Sequence, residues 1–429
     1  MALQDADRMP AARNGMTGWL VWALAASGFT YGFYLRFSPS AMVEDLMRDF
    51  AVGAAVLGNL SAIYFYIYAG MQLPVGALID RWGPRLMITS SIAIAAVGTA
   101  LFAVAQNIAF AYLGRFLIGA GSAVAFVGCL SLAGRWFAPN RFAFMAGLTM
   151  LAGMIGGILG QGPLAYAIGI VGWRTAMLAS ACFAALLTVL IWAVVRDWPA
   201  GADHSEHTTR AKGSAWRSMA QTMSMPRMWA IAAVAASFTG PLLAFGGLWG
   251  VPYLMAKFGI PRPDAAFYIS FALVGWALGA PIGGWLSDRV GRRKVPLIVA
   301  CTAHLTCLGL LLYLPGISLI AGTGLIFLSG LLGGTMVITY AVGREIAPMP
   351  IHGAVSGFIN TATVGAGAVL QPIIGLFLDM QWDGRLVDGA RVYTVEAYDT
   401  AFSCLIVWIL LGLFFLTFVK ETHCRQQVV

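Results

Sequence analysis

Charge is scarce in this chain of 429 residues: Asp, Glu, Lys and Arg together make up 10%. Soluble globular domains run near 25%, so a fold bathed in water on all sides is excluded. Histidine is also sparse, and its one close pair, His204 and His207, falls in a polar stretch that reads as a solvated loop. The six cysteines are Cys129, Cys182, Cys301, Cys307, Cys404 and Cys424, and none forms a C-x-x-C pair beside histidines. They read as small packing residues, so no metal site and no disulfide is expected. There is no H-E-x-x-H, no G-x-S-x-G and no phosphate-binding P-loop. Those gaps argue against an enzyme, against ATP-driven pumping and against any cofactor.

Apolar residues fill the space that charge leaves, at 59% of the chain. A hydrocarbon core of about 30 Å takes roughly 20 apolar residues per helix. Twelve such spans are expected, beginning near Thr17, Ala54, Pro84, Ile108, Phe142, Trp173, Arg227, Asp264, Lys294, Ser318, Gly353 and Tyr398. Strand-length alternation is absent, and lipid leaves no backbone group unpaired, so the spans are read as helices. Asp5, Asp7, Arg8 and Arg13 precede a first span too long for the core of a cleaved signal.

Most of the 26 lysines and arginines fall on one side if the N-terminus is cytoplasmic. Arg48, Arg174, Lys257, Arg262, Arg385 and Arg391 fall opposite, and Arg36 and Arg115 lie inside spans. This bias predicts both termini inside. It also accounts for the net charge of +8 without a nucleic-acid partner.

One word occurs twice. Gly76-Ala-Leu-Ile-Asp80-Arg81-Trp-Gly83-Pro-Arg85 returns as Gly284-Trp-Leu-Ser-Asp288-Arg289-Val-Gly291-Arg292-Arg293. Gly134-Arg135-Trp-Phe-Ala138-Pro139 returns as Gly343-Arg344-Glu-Ile-Ala347-Pro348, and Gly147, Gly157 and Gln161 return as Gly357, Gly367 and Gln371. Three blocks in one order imply a duplicated membrane unit, the usual architecture of a carrier. The expected domains are a six-helix bundle over 1–195, a cytoplasmic linker over 196–226 and a second six-helix bundle over 227–429.

Twelve spans, a six-plus-six repeat and the G-x-x-x-D-R-x-G-x-R turn after spans two and eight resemble the major facilitator superfamily. Arg115-Phe-Leu-Ile-Gly119-Ala-Gly121 and Gly172-Trp173-Arg174 are also similar to elements of that family. The first turn departs from the pattern, with Pro84 where a basic residue is usual. The resemblance implies secondary active transport by alternating access through one central site, commonly proton-coupled. The chain would be a multi-pass protein of a bacterial inner membrane or a specialised internal one, working as a monomer in the lipid bilayer.

The doubled turn has a physical use. Asp80 at a helix end can cap a neighbouring N-terminus or pair with Arg81, Arg85 or Arg135. Asp288 with Arg289, Arg292, Arg293 and Arg344 would do the same in the second half. Such clusters gate one side, or serve only as topology anchors.

Arg36 is the foremost residue for substrate contact. A charge inside a span usually faces a cavity, and its fork suits a carboxylate. Snorkelling to the headgroups is the alternative. Tyr31 and Tyr34 precede it at helical spacing. Arg115 comes second, either on substrate or in helix pairing, because the equivalent position in the second half is Gly324. Tyr64 and Tyr68, with Ser61 and Gln72, form a polar stripe on span two. Trp249, with Phe245 and Tyr253, forms one on span seven. Asn360 and Gln371, with Thr363, form one on span eleven. If the family arrangement holds, these stripes line the cavity.

No Asp or Glu lies mid-membrane, so Glu345 and Asp379, near helix ends, are the carboxylates left for proton coupling. His304 reads as packing. The glycine ladders Gly275, Gly279, Gly283 and Ala152, Gly156, Gly160 are expected to give smooth contacts between the bundles. The substrate reads as a small organic anion such as a carboxylate. A ferric siderophore is the alternative cargo, and a substrate sensor that keeps the carrier fold is the alternative function.

Overall fold

The computed structural model describes residues 15–138, 141–199 and 215–427. The N-terminal tail and the linker centre with His204 and His207 lie outside these residues. The described chain is almost entirely helical. The elements are α1 (Met16–Phe37), α2 (Val43–Phe50), α3 (Ala54–Trp82), α4 (Pro84–Val104), α5 (Ile108–Ser122), α6 (Ala125–Trp136), α7 (Phe142–Leu159), α8 (Gly162–Val171) and α9 (Trp173–Val194). They continue as α10 (Ala215–Met223), α11 (Pro226–Pro241), α12 (Gly250–Phe258), α13 (Arg262–Val290), α14 (Lys294–Tyr313), α15 (Leu319–Gly334), α16 (Val337–Ile346), α17 (His352–Met380) and α18 (Val395–Phe418). A π-helical stretch, Leu242–Trp249, joins α11 to α12, and a two-stranded hairpin of β1 (Leu386–Val387) and β2 (Ala390–Arg391) precedes α18.

Eleven spans among the described residues are long and apolar enough to cross a bilayer. In four of them consecutive pieces merge into one rod: α5–α6, α7–α8, α11–α12 and α15–α16. The helix starts fall close to those expected from hydropathy. α1, with 22 residues, is about 33 Å long at 1.5 Å per residue. It falls outside the eleven because tryptophan, tyrosine, glycine, serine and threonine dilute its apolar character. Part of the expected linker folds as α10, which packs on α17 through the half-buried Met219 and the buried Thr222.

Both copies of the doubled turn close on a glycine of positive φ, with ψ 153° at Gly83 and 25° at Gly291. Gly83 closes α3 at φ +79° and Gly291 closes α13 at φ +67°. Glycine takes that region without a Cβ clash, which is why both copies keep it.

α4 packs on α5 and α9, and α1 on α7; in the second half α13 packs on α15, and α11 on α17 and α18. Two contacts join the halves extensively, α3 with α17 and α7–α8 with α13. The expected glycine ladders do not make these contacts. A methyl group at Gly275 or Gly279 would overlap backbone of α15, and one at Gly156 or Gly160 would overlap backbone of α1. Both ladders tighten the inside of their own half. Spacing specifies a smooth face, not which neighbour it meets.

Candidate functional site

Arg36 sits in the last turn of α1 and is 7% exposed. Its Nε donates to Tyr64 Oη at 3.3 Å. Its guanidinium lies over three rings, 4.3 Å from Phe33, 4.7 Å from Tyr68 and 5.4 Å from Tyr64. Among the described residues no carboxylate pairs with it. Each ring face offsets about 0.5–2 kcal/mol of a cation's desolvation. Three rings together are of the same order as the roughly 2.5–3.5 kcal/mol or more that a lone charge costs inside a membrane, but none of them supplies a full negative charge. The site therefore has an unmet demand for negative charge. Tyr64 and Tyr68 stack at 5.9 Å, and Tyr64 passes its own hydrogen to Gly32 O.

Arg115 also lies close to Tyr64, 5.3 Å from that ring, and is 1% exposed. Two of its donors are committed: Nη1 binds Leu35 O at 2.9 Å and Nη2 binds Ser61 O at 3.2 Å. It therefore staples α1 to α3 and adds positive potential beneath Arg36. Its Nε and the Ser61 hydroxyl have no partner. Tyr31 is turned elsewhere: it donates to Thr99 at 2.9 Å and stacks on Tyr34, so this pair faces α4 and α9. Phe33 takes the place beside Arg36 that the tyrosine spacing implied.

The second half contributes backbone and amides. Trp249 Nε1 donates to Gln371 O at 3.0 Å, and Gln371 Nε2 to Leu243 O at 2.8 Å. Gln161, the repeat partner of Gln371, reaches across from the first half to Gly246 O at 2.7 Å. Both glutamines thus hold carbonyls of the π-helical stretch, where the register change frees acceptors. Asn360 accepts from Tyr340 at 3.4 Å. Tyr340 carries no periodic neighbour in the sequence and was not singled out. Phe245 and Tyr253 pack with Phe402 inside the second half.

The gating residues divide by half. Asp80 is exposed at the end of α3 and makes no ion pair within 4 Å among the described residues, though its charge bears on Arg135, while Arg81 lies over its neighbour Trp82. The helix-capping task expected of Asp80 falls to Asp197, which accepts the Arg85 N–H at 2.7 Å and approaches Arg135 at 4.0 Å. Arg85 also donates to Trp192 O. In the second half Glu421 accepts the Arg293 and Lys294 N–H groups at 2.7 and 3.0 Å. Those backbone donors outweigh its partial burial and hold its carboxyl below the ordinary value of 4.5. Arg293 bridges Asp288 at 2.6 Å and Glu345 at 2.7 Å. Burial opposes its charge, but these hydrogen bonds win and raise its pKa. Thr422 donates to Glu345 as well. Arg292 is exposed, Arg289 lies over Trp285, and Arg344 reaches Ser356 at 3.4 Å. The matching words Arg196-Asp197 and Lys420-Glu421, one after span six and one after span twelve, were the available signal for the two caps.

At the opposite end the halves are stitched together. Asp379 closes α17 and accepts the Ala54 and Ala55 N–H groups of α3, each at 2.9 Å. Tyr393 donates to it at 2.7 Å and Arg391 at 3.1 Å. Asp45 on α2 pairs with Arg262 at the start of α13. Beside them Glu44 is half-buried, which raises its pKa despite Arg262 nearby. A methyl at Gly58 would lie 2.5 Å from Gln371 O, so α3 and α17 touch through backbone. Toward the doubled-turn end the same two helices part: Gly70, Gly76, Gly353, Gly357 and Gly365 have nothing near their missing Cβ. The cleft is closed at one end and open at the other. Glu345 and Asp379, the carboxylates expected for proton coupling, sit at these two ends within the bonds just described.

A family model described as Major Facilitator Superfamily matches residues 23–372. The chain belongs to the Major Facilitator Superfamily. This facilitator is 24% identical to the uncharacterized transporter YybO of Bacillus subtilis, over 95% of each chain. It is 25% identical to a putative tartrate transporter of Agrobacterium vitis, covering 85% of this chain and 82% of the relative. It is 23% identical to the probable sulfoacetate transporter SauU of Cupriavidus necator, covering 80% and 83%. A solved bacterial homologue of the human lysosomal transporter Spinster, inward-facing and unoccupied, shares the fold with a TM-score of 0.77 at 16% identity. It covers 95% of this facilitator and 97% of that chain. The protein is thus a multi-pass membrane transporter, and its family is not one of enzymes.

Proposed function

We propose that this facilitator carries a small organic anion, held by a carboxylate or sulfonate group on Arg36, across a bacterial inner membrane by alternating access. The observation that carries the reading is Arg36 itself: buried, caged by three rings and without a counter-ion among the described residues. The names of the tartrate and sulfoacetate relatives agree with an anionic cargo. Tyr64 and Tyr68 would frame the anion from the first half. Tyr340 and Asn360 would meet it from the second.

The proposed topology has twelve crossings with both termini cytoplasmic, bundles over 1–195 and 227–429, and one chain as the working unit. With the doubled turn inside, the open end faces the cytoplasm. The Asp379 cap and the Asp45–Arg262 pair are then the outer gate, and the Asp80 and Asp288 clusters form the inner one. A proton-coupled cycle would carry its proton on the substrate's own carboxyl or on the gate carboxylate Asp379, since no carboxylate among the described residues pairs with either site arginine.

The test is uptake of labelled tartrate, sulfoacetate and pyruvate into proteoliposomes preloaded with the same unlabelled anion. Saturable uptake of one of them, collapsing in Arg36→Gln, is the expected result. Uptake of a ferric siderophore instead would move the cargo to iron supply. Binding without flux would make the chain a sensor.

A further inference from the structure

The empty site poses a problem that the loaded site does not. Two guanidiniums lie close to one phenol ring, with Arg36 and Arg115 centred 5.4 and 5.3 Å from Tyr64. Among the described residues, the titratable groups that bear on either are the neutral phenols of Tyr64 and Tyr68. Every carboxylate among the described residues that makes an ion pair lies at one of the two ends or on the α2 segment: Asp45, Asp49, Asp197, Asp288, Glu345 and Asp379. Arg115 has spent one donor of each Nη on a carbonyl, whereas both Nη groups of Arg36 make no hydrogen bond among the described residues, so Arg36 has the more donors left to give.

Alternating access requires a state closed at both ends. Closing the inner end over an empty site would strip the remaining water from an uncompensated positive pair. Burying unpaired charge is unfavourable, and removing one partner of a buried pair leaves the other stranded. A bound anion removes that obstacle. The three rings around Arg36 soften it but supply no full charge.

We infer that this carrier is an anion exchanger: it crosses between its two open states readily with an anion bound and slowly when empty. One anion leaves for each anion that enters, so exchange of equally charged species moves no net charge. This rests on the assignment of Arg36 as the anion contact. It goes beyond that assignment by fixing the mode of transport, and it removes the need for a proton carrier in the site.

The experiment compares initial uptake of labelled tartrate, sulfoacetate or pyruvate into two vesicle populations. One is loaded with the same unlabelled anion. The other holds a zwitterionic buffer free of small anions. Loaded vesicles should take up label faster by about tenfold or more, equivalent to a barrier difference of roughly 1.4 kcal/mol. Equal rates in the two populations overturn exchange and leave the anion-carrier reading intact. So does an imposed inward proton gradient that brings empty vesicles to the loaded rate. Entry of no label into either population overturns the carrier reading itself.

A built-in counter-ion sharpens the test. Phe33 lies one helical turn before Arg36, a spacing at which acidic and basic side chains meet. Phe33→Glu should bring the two rates together and weaken anion affinity, whereas Phe33→Leu should keep the difference. A Phe33→Glu protein that folds, transports and still depends on internal anion would count against the charge argument.

Discussion

The two halves of this facilitator share a scaffold and differ in what they put on it. Both repeat the turn with a left-handed glycine, both cap the following helix with an acid from the end of the sixth span of their half, and both lend a glutamine to the π-helical stretch. The first half then buries two arginines in its core. The second has Gly324 where the first has Arg115, and its π-helical stretch carries no charge at all. Duplication kept what the fold needs. Charge was placed once, on one wall, where the proposed anion would meet it.

That asymmetry can be broken most severely at Arg36. Arg36→Gln keeps a donor but removes the charge, and uptake should fall on the order of 100-fold, since hydrogen bonds to charged groups contribute about 1.5–3 kcal/mol. Radiolabel uptake checks it, and near-normal flux would refute the one-wall picture. Next comes Arg115→Met, which removes the charged donors to Ser61 O and to Leu35 O, the latter still held by Ser38 Oγ at 3.1 Å, and should destabilise the protein by roughly 1–3 kcal/mol. Gly324→Ala, in open space, should stay within about 0.5 kcal/mol of the parent. Thermal unfolding in detergent compares the two.

How much of this was legible beforehand follows from the range of each interaction. Hydropathy and the doubled turn are local signals, and they located the helices and the family. Arg36, Tyr64 and Tyr68 were also readable, because charge and aromatics on apolar helices stand out. What remained hidden were pairings between distant segments. Asp197 on α4 and Glu421 on α14 took the caps that Asp80 and Asp288 had been offered. Arg115 found carbonyls, which carry no sequence signature. The glycine ladders revealed a smooth face and hid its neighbour. Asp379 showed itself as a carboxylate at a helix end, but nothing local said that its partner was α3.

Smaller effects sharpen the comparison at the open end. Asp288 is tied to Arg293, whereas Asp80 makes no ion pair within 4 Å among the described residues. Asp80→Asn should therefore slow transport while leaving insertion and thermal stability unchanged. Asp288→Asn should lower both, with a stability loss of about 0.2–1 kcal/mol, typical of exposed pairs. Equal stability losses would mean that the first-half cluster is already closed. A further effect is expected with pH. The Glu421 carboxyl is depressed below 4.5, so its contribution is present above that value. It is lost as pH falls through the folded-state value. Glu421→Gln should flatten the loss of melting temperature on acidification below about pH 4.5, a cap being worth roughly 0.5–2 kcal/mol.

The Asp379 carboxylate has a consequence for how the closed end lets go. Its four donors come from two bodies: two amides at the start of α3, and Tyr393 and Arg391 from its own half. A small separation spoils both amide bonds together, because neighbouring N–H groups at one helix start move as a unit. No intermediate gap keeps half of the attachment. Release is therefore cooperative, and the outer doorway should snap between shut and open rather than widen by degrees, leaving few half-open molecules through which solute could leak.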